Sequence, residues 1–449
     1  MDALENERLQ ELLREDRNRA LEEIRELPIP EIADLIRDMP IEDAADLIRQ
    51  LPIEINVQIF DEPTLRRRRE LVEHLETPQV AAIAERMSSD ERADFFGNLN
   101  EETRAHLLKH LSRETQHELL ELLAYPPTSA GGLMTTEFVE VYPDQSVEEV
   151  LKHIRVVARE VETVYTIYAV DRATEKLMGV LSLRDLLTAD NRQTVGELMD
   201  AEAITVDASR DQEEVARLIA RYNLLAVPVV DSSHRILGIV TVDDVLDVLS
   251  EEQSEDLQKI SGIEPLEDPY FRVSPLSMVR KRAGWLVGIF IGEFLTGTAL
   301  RHYDSAIAAA RTLVYYVPLI ISSGGNSGSQ SATLVVRGLA TGEIELREWF
   351  KVLRREILIG MGLGLILGTV GFGRSLMWRN GMGVAFCVGL TLVSVVAWGT
   401  LVGALLPIVF KRLGFDPAVS SNPFIATLVD VSGIVIYFNI AQRVLHLVV

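Results

Sequence analysis

Asp430 stands in Asn422-Pro-Phe-Ile-Ala-Thr-Leu-Val-Asp-Val-Ser-Gly-Ile-Val-Ile-Tyr, inside an apolar stretch over residues 417–442 that otherwise reads as a membrane span. A carboxylate at the centre of a membrane helix costs about 2.5–3.5 kcal/mol on insertion scales, so it persists where it faces a cavity or a counter-charge. No Lys or Arg occurs between Arg412 and Arg443, so this segment supplies no covalent neighbour to neutralise it. Asn422, Ala426 and Asp430 recur at i, i+4 and i+8 and share one helix face. The small Ala426 leaves a gap there through which a hydrated ion could reach the backbone. Two chemistries follow: coordination of a mobile cation, which the spacing favours, or hydrogen bonding to a neighbouring helix for packing.

A second polar segment is Pro318-Leu-Ile-Ile-Ser-Ser-Gly-Gly-Asn-Ser-Gly-Ser-Gln-Ser-Ala-Thr. Its unbroken run of glycine and polar residues cannot face lipid at membrane depth, so it lines a watery path or lets helix backbones touch. A phosphate-cradling loop is a poor alternative, since the Gly-Lys-[Ser/Thr] ending is absent and the segment sits at membrane depth. Gly360, Gly364 and Gly368 form small-xxx-small steps that fit helix packing. Glu293 lies mid-span with no basic residue beside it; it either lines a pore mouth or hydrogen-bonds across the bundle. None of the eight histidines pairs at metal-ligand spacing, so zinc chemistry has no support. The single cysteine, Cys387, rules out a disulfide framework. No catalytic pair emerges, which speaks against an enzyme.

The elements that must position these residues are five apolar spans, at about 284–300, 306–338 (with a break), 357–373, 381–410 and 417–442. Each is long enough to cross roughly 30 Å of hydrocarbon. Arg280, Lys281, Arg282, Arg337, Arg347, Lys351, Arg354, Arg355, Lys411 and Arg412 fall on one side, against Arg301, Arg374, Arg379 and Arg443 on the other. The excess of basic residues puts the N-terminal half and its loops in the cytoplasm and the C-terminus outside. The N-terminal sequence lacks the basic-then-apolar pattern of a signal peptide.

Charge divides the chain. The first 275 residues carry 29 basic and 59 acidic side chains, a net of −30, and the remainder carries 15 and 8, a net of +7. An acidic surface of that size repels nucleic acid and attracts cations, divalent ones above all.

Residues 1–125 are helical in pattern with a hidden period. Leu27, Met39, Leu51, Leu75, Met87, Leu99, Leu111 and Leu123 are all multiples of 12 apart, and Pro63 breaks the series. Short helices joined by tight turns stack into a superhelix, because none buries its apolar face alone. Tyr125-Pro-Pro-Thr-Ser-Ala-Gly-Gly is a linker. Then a second repeat begins: Leu133-Met134 recurs as Leu198-Met199, and Gly179-Val-Leu-Ser-Leu-Arg-Asp-Leu-Leu as Gly238-Ile-Val-Thr-Val-Asp-Asp-Val-Leu. Val164–Val170 and Ala226–Val230 are its buried strands. The duplicated Gly-x-x-[Ser/Thr]-x-x-Asp signature resembles tandem cystathionine-β-synthase-type (CBS) domains.

Gly-Gly-Asn-Ser-Gly-Ser-Gln-Ser-Ala-Thr at 324–333 and Ser-Asn-Pro-Phe-Ile-Ala-Thr-Leu-Val-Asp at 421–430 join five spans, tandem CBS domains and an acidic helical N domain. Together they look like the MgtE family of magnesium channels, over the whole chain. The resemblance implies a multidomain membrane protein: an all-α superhelical N domain (1–125), an α/β CBS pair (126–198 and 199–251), a connecting helix (252–282) and a five-helix transmembrane domain (283–449).

It also implies a homodimer in the cytoplasmic membrane whose pore runs between subunits and which cytosolic Mg²⁺ closes. Carried over, Asp430 is the pore ligand, with the Ala426 carbonyl and Asn422 beside it; Gly325, Asn326, Gln330 and Glu293 line the path. Mg²⁺ keeps several waters and touches one or two carboxylates, which a pair of Asp430 side chains fits. The gating acids are Asp90 and Asp94 on an N-domain helix; Asp244, Asp247, Glu251, Glu252, Glu255 and Asp256 around the connector; and Asp416 before the fifth span. Asp211 and Glu213 resemble further family positions, whereas Asn223 stands where an acid is expected. Ser182, Asp185 and Thr241 match the CBS signature for the ribose of an adenine nucleotide such as ATP. Asp244 belongs to that signature too, but is assigned here to Mg²⁺. The competing reading is a nucleotide-regulated CBS transporter of another divalent cation or solute, proton-coupled through Glu293.

Overall fold

The computed structural model describes residues 3–62, 65, 67–266, 270 and 273–446. They form two compact units, Met1–Glu252 and Gln253–Val449.

In the first unit the 12-residue period becomes a register of helix starts. Pro28, Pro40, Pro52, Glu76, Ser88, Asn100 and Ser112 each stand at the N-cap of a short helix. The recurring Leu or Met sits one residue earlier, in the turn, as the apolar N′ residue that fixes how the chain enters a helix. Met39, Leu51, Leu75, Met87, Leu99 and Leu111 are all buried there. Pro63 lies outside the described residues. Stacking is between alternate helices: Ile29–Asp38 on Ile53–Asp61, that on Thr77–Ala84, and Thr77–Ala84 on Glu101–Leu108. The helix that matters most for the site is α1 (Ser89–Gly97), which packs on Arg113–Leu122.

Two three-stranded sheets follow, β1 (Phe138–Val141), β2 (Thr163–Val170) and β3 (Leu177–Ser182), then β4 (Val206–Asp207), β5 (Ala226–Val230) and β6 (Ile236–Thr241). Each has a parallel first pair and an antiparallel second pair, as expected of a duplicated unit. The copies are interleaved: Thr135 bridges to Ile239 on β6, and Asp200 bridges to Val180 on β3. One apolar core runs from the N-terminal helices into the second sheet, joining Phe60, Phe95 and Phe96 to Val215, Val227, Val240 and Val245.

Helix α2 (Val242–Ile260) follows β6. The connector expected as one helix over 252–282 is divided. Gly262 adopts a positive φ of 72°, which ends the helix, and Ser274 caps a new one, α3 (Pro275–His302). The break expected in 306–338 is also explicit. A short helix Asp304–Ala309 and a 3₁₀ turn Arg311–Tyr316 precede α4 (Val317–Ala340). Then come α5 (Trp349–Met377), α6 (Met382–Arg412) and α7 (Asn422–Val444).

Among the described residues four helical stretches are long and apolar enough to cross a membrane: α3, Leu346–Met377, α6 and α7. α4 has the length, 24 residues, but its Ser, Gly, Asn and Gln dilute its apolar character. Its buried face, which carries Gly324, Gly325, Ser327, Gly328 and Ser331, packs against α6 and α7. Close backbone approach holds that contact. A Cβ at Gly399 would lie 2.3 Å from the Gly324 carbonyl oxygen, and one at Gly403 would lie 2.0 Å from that of Gly328. On its other face α6 receives Gly360, Gly364 and Gly368 of α5, at Thr400, Val393 and Gly389, which is the packing role their spacing suggested.

Candidate functional site

In the second unit Asp430 is half-buried on α7, and three helices meet at it. Gly325 of α4 is so close that a Cβ there would lie 3.4 Å from the Ala426 methyl and 3.6 Å from Asp430 Oδ1. Glu293 of α3 is near enough for its charge to act on Asp430, where Gly292 lets α3 pack on Thr427. No basic side chain pairs with either carboxylate among the described residues.

One turn before Ala426, Asn422 donates through Nδ2 to Thr333 Oγ1 at 3.4 Å, and Ser329 donates to its carbonyl at 3.4 Å. Asn422 Oδ1 is shielded and accepts no hydrogen bond. Asn326 and Gln330 are exposed on α4, Asn326 donating to Ser322 at 3.3 Å. The structure thus brings Ala426, Gly325 and Glu293 close to Asp430, with Asn422 two turns earlier on the same helix. Two like charges and an orphaned acceptor oxygen with no cationic partner suit a hard, hydrated cation.

In the first unit α1 carries a dense acidic cluster. Asp90 is at its centre, its Oδ1 shielded without a hydrogen bond, and Asp61 Oδ1 is in the same state. Burial first, and then the charge of Asp90, push Asp94 and Glu162 up to about 6. Asp61, Glu137 and Asp244 rise to about 7 and Glu91 to about 8. Burial raises Asp90 itself, with Asp243 adding to the effect. Burial also raises Asp247, helped by Glu62 and Asp243, and Glu251 adds to the repulsion on Asp94. Among the described residues two guanidinium groups pair with carboxylates here: Arg68, 2.8 Å from Glu91, and the buried Arg92, 2.9 Å from the neighbouring Glu118.

Sequence reasoning had Asp90, Asp94, Asp244, Asp247 and Glu251 of this group. It missed Glu91 and Asp243, the immediate neighbours of Asp90 and Asp244, and also Asp61, Glu137 and Glu162, which lie far from them in the chain and come near only in the fold.

The remaining expected acids lie elsewhere. Asp211 caps Gln212–Tyr222, accepting from the Glu213 amide at 3.0 Å, and Glu213 pairs with Arg217. Asn223 ends that helix in the left-handed conformation, φ 51°, which asparagine tolerates better than most residues; a C-cap explains its presence. Glu252 accepts from Gln212. In the second unit Glu255, one residue before Asp256 on α2, and Asp416 both bind the ammonium of Lys259. Among the described residues no three His, Cys, Asp or Glu form a ready-made metal centre, so the acids present a charged field, not a prebuilt coordination sphere.

The CBS signature residues double as helix caps. Ser182 accepts from the Asp185 amide at 3.2 Å while Asp185 accepts from the Ser182 amide at 2.9 Å, and hydrogen bonds from Ser182 hold Asp185 below the usual carboxylate range. Thr241 and Asp244 keep half of it: the Thr241 amide and hydroxyl both donate to Asp244 Oδ2. The histidines require a correction. His106 and His110 are four residues apart with ring centroids 5.2 Å apart, a spacing that sequence reasoning passed over. Another buried acid it overlooked is Glu356 of α5, which accepts from Ser331 of α4 at 2.6 Å.

Comparison with known proteins matches this layout. A model of divalent cation transporters, MgtE, covers residues 317–440; the MgtE intracellular N domain covers 27–128; CBS domains cover 130–192 and 195–251. The magnesium transporter MgtE of Thermus thermophilus is 43% identical over 327 residues, 73% of this chain and 72% of that protein. That of Enterococcus faecalis is 35% identical, over 72% and 70%. Among solved structures, the cytosolic domain of the Mg²⁺ channel MgtE in complex with ATP superposes with a TM-score of 0.51 at 38% identity, over 54% of this chain and 98% of that one. The soluble part of a magnesium transporter gives 0.51 at 32% identity, over 55% and 97%.

Proposed function

The chain belongs to the MgtE family of divalent cation transporters, and we propose that it is a Mg²⁺ channel that cytosolic Mg²⁺ closes. The observation that carries this reading is the proximity of Glu293 to Asp430 with no basic side chain paired to either among the described residues. A hydrated Mg²⁺ ion is the counter-charge the pair lacks. Asp430 attracts it, Asn422 Oδ1 and the Ala426 carbonyl hold its water, and Gly325 leaves room for the water shell. Two copies of the chain, with α7 facing α7, supply a second Asp430, so the pore is that of a homodimer. The soluble half and both basic loops lie in the cytoplasm, and the C-terminus lies outside.

Closure originates in the first unit. At low cytosolic Mg²⁺ the cluster around Asp90 repels itself; bound Mg²⁺ cancels that charge and makes the compact arrangement the stable one. Asp244 belongs to this cluster, while Ser182, Asp185 and Thr241 serve an adenine nucleotide, ATP, on the CBS pair.

The test is Mg²⁺ uptake by proteoliposomes of the full chain while Mg²⁺ on the cytoplasmic face alone is varied. Uptake should be fast in submillimolar Mg²⁺ and suppressed at several millimolar. Uptake indifferent to that variable would remove the regulatory half of the proposal, and no uptake at any concentration would remove the transport half.

A further inference from the structure

Lys259 near the C-terminal end of α2 donates to Asp416 Oδ2 at 2.8 Å and also binds Glu255, one helical turn earlier. Asp416 is engaged twice. Its other oxygen, Oδ1, accepts from the Ala418 amide at 2.8 Å and so caps the 3₁₀ turn Pro417–Val419. Ser420 closes that turn by donating to the Pro417 carbonyl at 2.6 Å. The next residue, the buried Ser421, accepts from Trp285 Nε1 at 2.8 Å and is the N-cap of α7, whose first residue is Asn422. A continuous set of contacts therefore runs from α2 through Lys259, Asp416 and the turn to the first residue of the cation path.

Both Glu255 and Asp416 are acids that the sequence assigned to regulatory Mg²⁺. Held against one nitrogen, they would repel each other if that nitrogen were gone, and only a multivalent cation could bridge them in its place. We propose that Lys259 is a tethered cation: its ammonium takes the place of a bridging divalent ion between Glu255 and Asp416 and so positions the turn that leads into α7. It is a positioning residue that touches no transported ion. In this chain, then, the contact between α2 and the turn before α7 forms without Mg²⁺.

This inference rests on the proposed regulation by cytosolic Mg²⁺, so it is tested by a measurement that needs no transport. Amide hydrogen exchange over residues 416–421 is followed by mass spectrometry in the full chain, in chelator and in millimolar Mg²⁺. The parent should exchange slowly and equally in both, and Lys259→Arg should match it. Lys259→Met should exchange roughly five- to tenfold faster in chelator. Millimolar Mg²⁺, but not K⁺ at equal ionic strength, should slow it again. Adding Glu255→Gln to Lys259→Met should abolish that rescue, since a lone Asp416 offers nothing to bridge. The proposal is overturned if Lys259→Met leaves exchange unchanged, if Mg²⁺ does not reverse the effect, or if the rescue survives Glu255→Gln. It is equally overturned if exchange in the parent itself follows Mg²⁺. Loss of Mg²⁺ uptake would bear on the channel and leave these outcomes untouched.

Discussion

A methyl group placed on Gly325 would lie 3.6 Å from Asp430 Oδ1, an ordinary van der Waals contact, so one methyl fits beside the carboxylate while a longer side chain would enter the space proposed for the ion's water shell. The relationship gives a graded expectation. Gly325→Ala should insert and retain much of the Mg²⁺ flux, whereas Gly325→Leu should reduce it at least about tenfold by displacing the ion's water shell. Flux per inserted protein decides it; a fully conducting Gly325→Leu would put the path elsewhere.

The acidic cluster makes the soluble unit sensitive to pH. Its carboxyls titrate near 4 in an unfolded chain but between about 6 and 8 in Asp61, Glu91, Asp94, Glu137, Glu162 and Asp244. Over that interval the folded form binds more protons than the unfolded one, so the stability is fully present below about pH 4 and is lost as pH rises through 6 to 8. The urea midpoint of fragment 1–252 in chelator should therefore fall between pH 5 and pH 8. Millimolar Mg²⁺ should flatten the slope, and Asp90→Asn should flatten it without Mg²⁺. A midpoint that rises with pH in chelator would mean these acids are not held protonated together.

The α4–α6 contact should tolerate no side chain. Gly403→Ala would drive a methyl to 2.0 Å from the Gly328 carbonyl oxygen, an overpacking that typically costs at least about 1–3 kcal/mol. Detergent-solubilised Gly403→Ala should unfold well below the parent, while Gly362→Ala, where nothing lies within 4 Å, should not. Equal melting of the two would argue that the helices sit further apart.

Much of this was legible in the sequence because it depended on local pattern. The 12-residue period, the duplicated CBS signature and the helix face of Asn422, Ala426 and Asp430 are all written in spacings. Hydropathy was a poorer guide to α4, whose glycines are buried by neighbouring helices that no window along the chain can anticipate. The connector misled for a related reason: its charge pattern continues past Ile260, but Gly262 turns the backbone there. The site was half-readable. Asp90 could be picked out, but Asp61, Glu137 and Glu162 are acids without local distinction until the fold brings them to it. Lys259 carried no signal, because its meaning depends on Asp416, 157 residues away.

The most direct test of the central claim is Mg²⁺ flux through Asp430→Asn. Asparagine keeps the size and hydrogen-bonding reach of the side chain and removes only its charge, and loss of a carboxylate from a membrane helix relieves an insertion cost. The variant should therefore insert as the parent does. Reconstituted at equal density under a Mg²⁺ gradient, it should lose most of the Mg²⁺ flux, because a strongly hydrated dication then meets only the Glu293 charge. Flux equal to that of the parent would contradict the account and make Asp430 a packing residue.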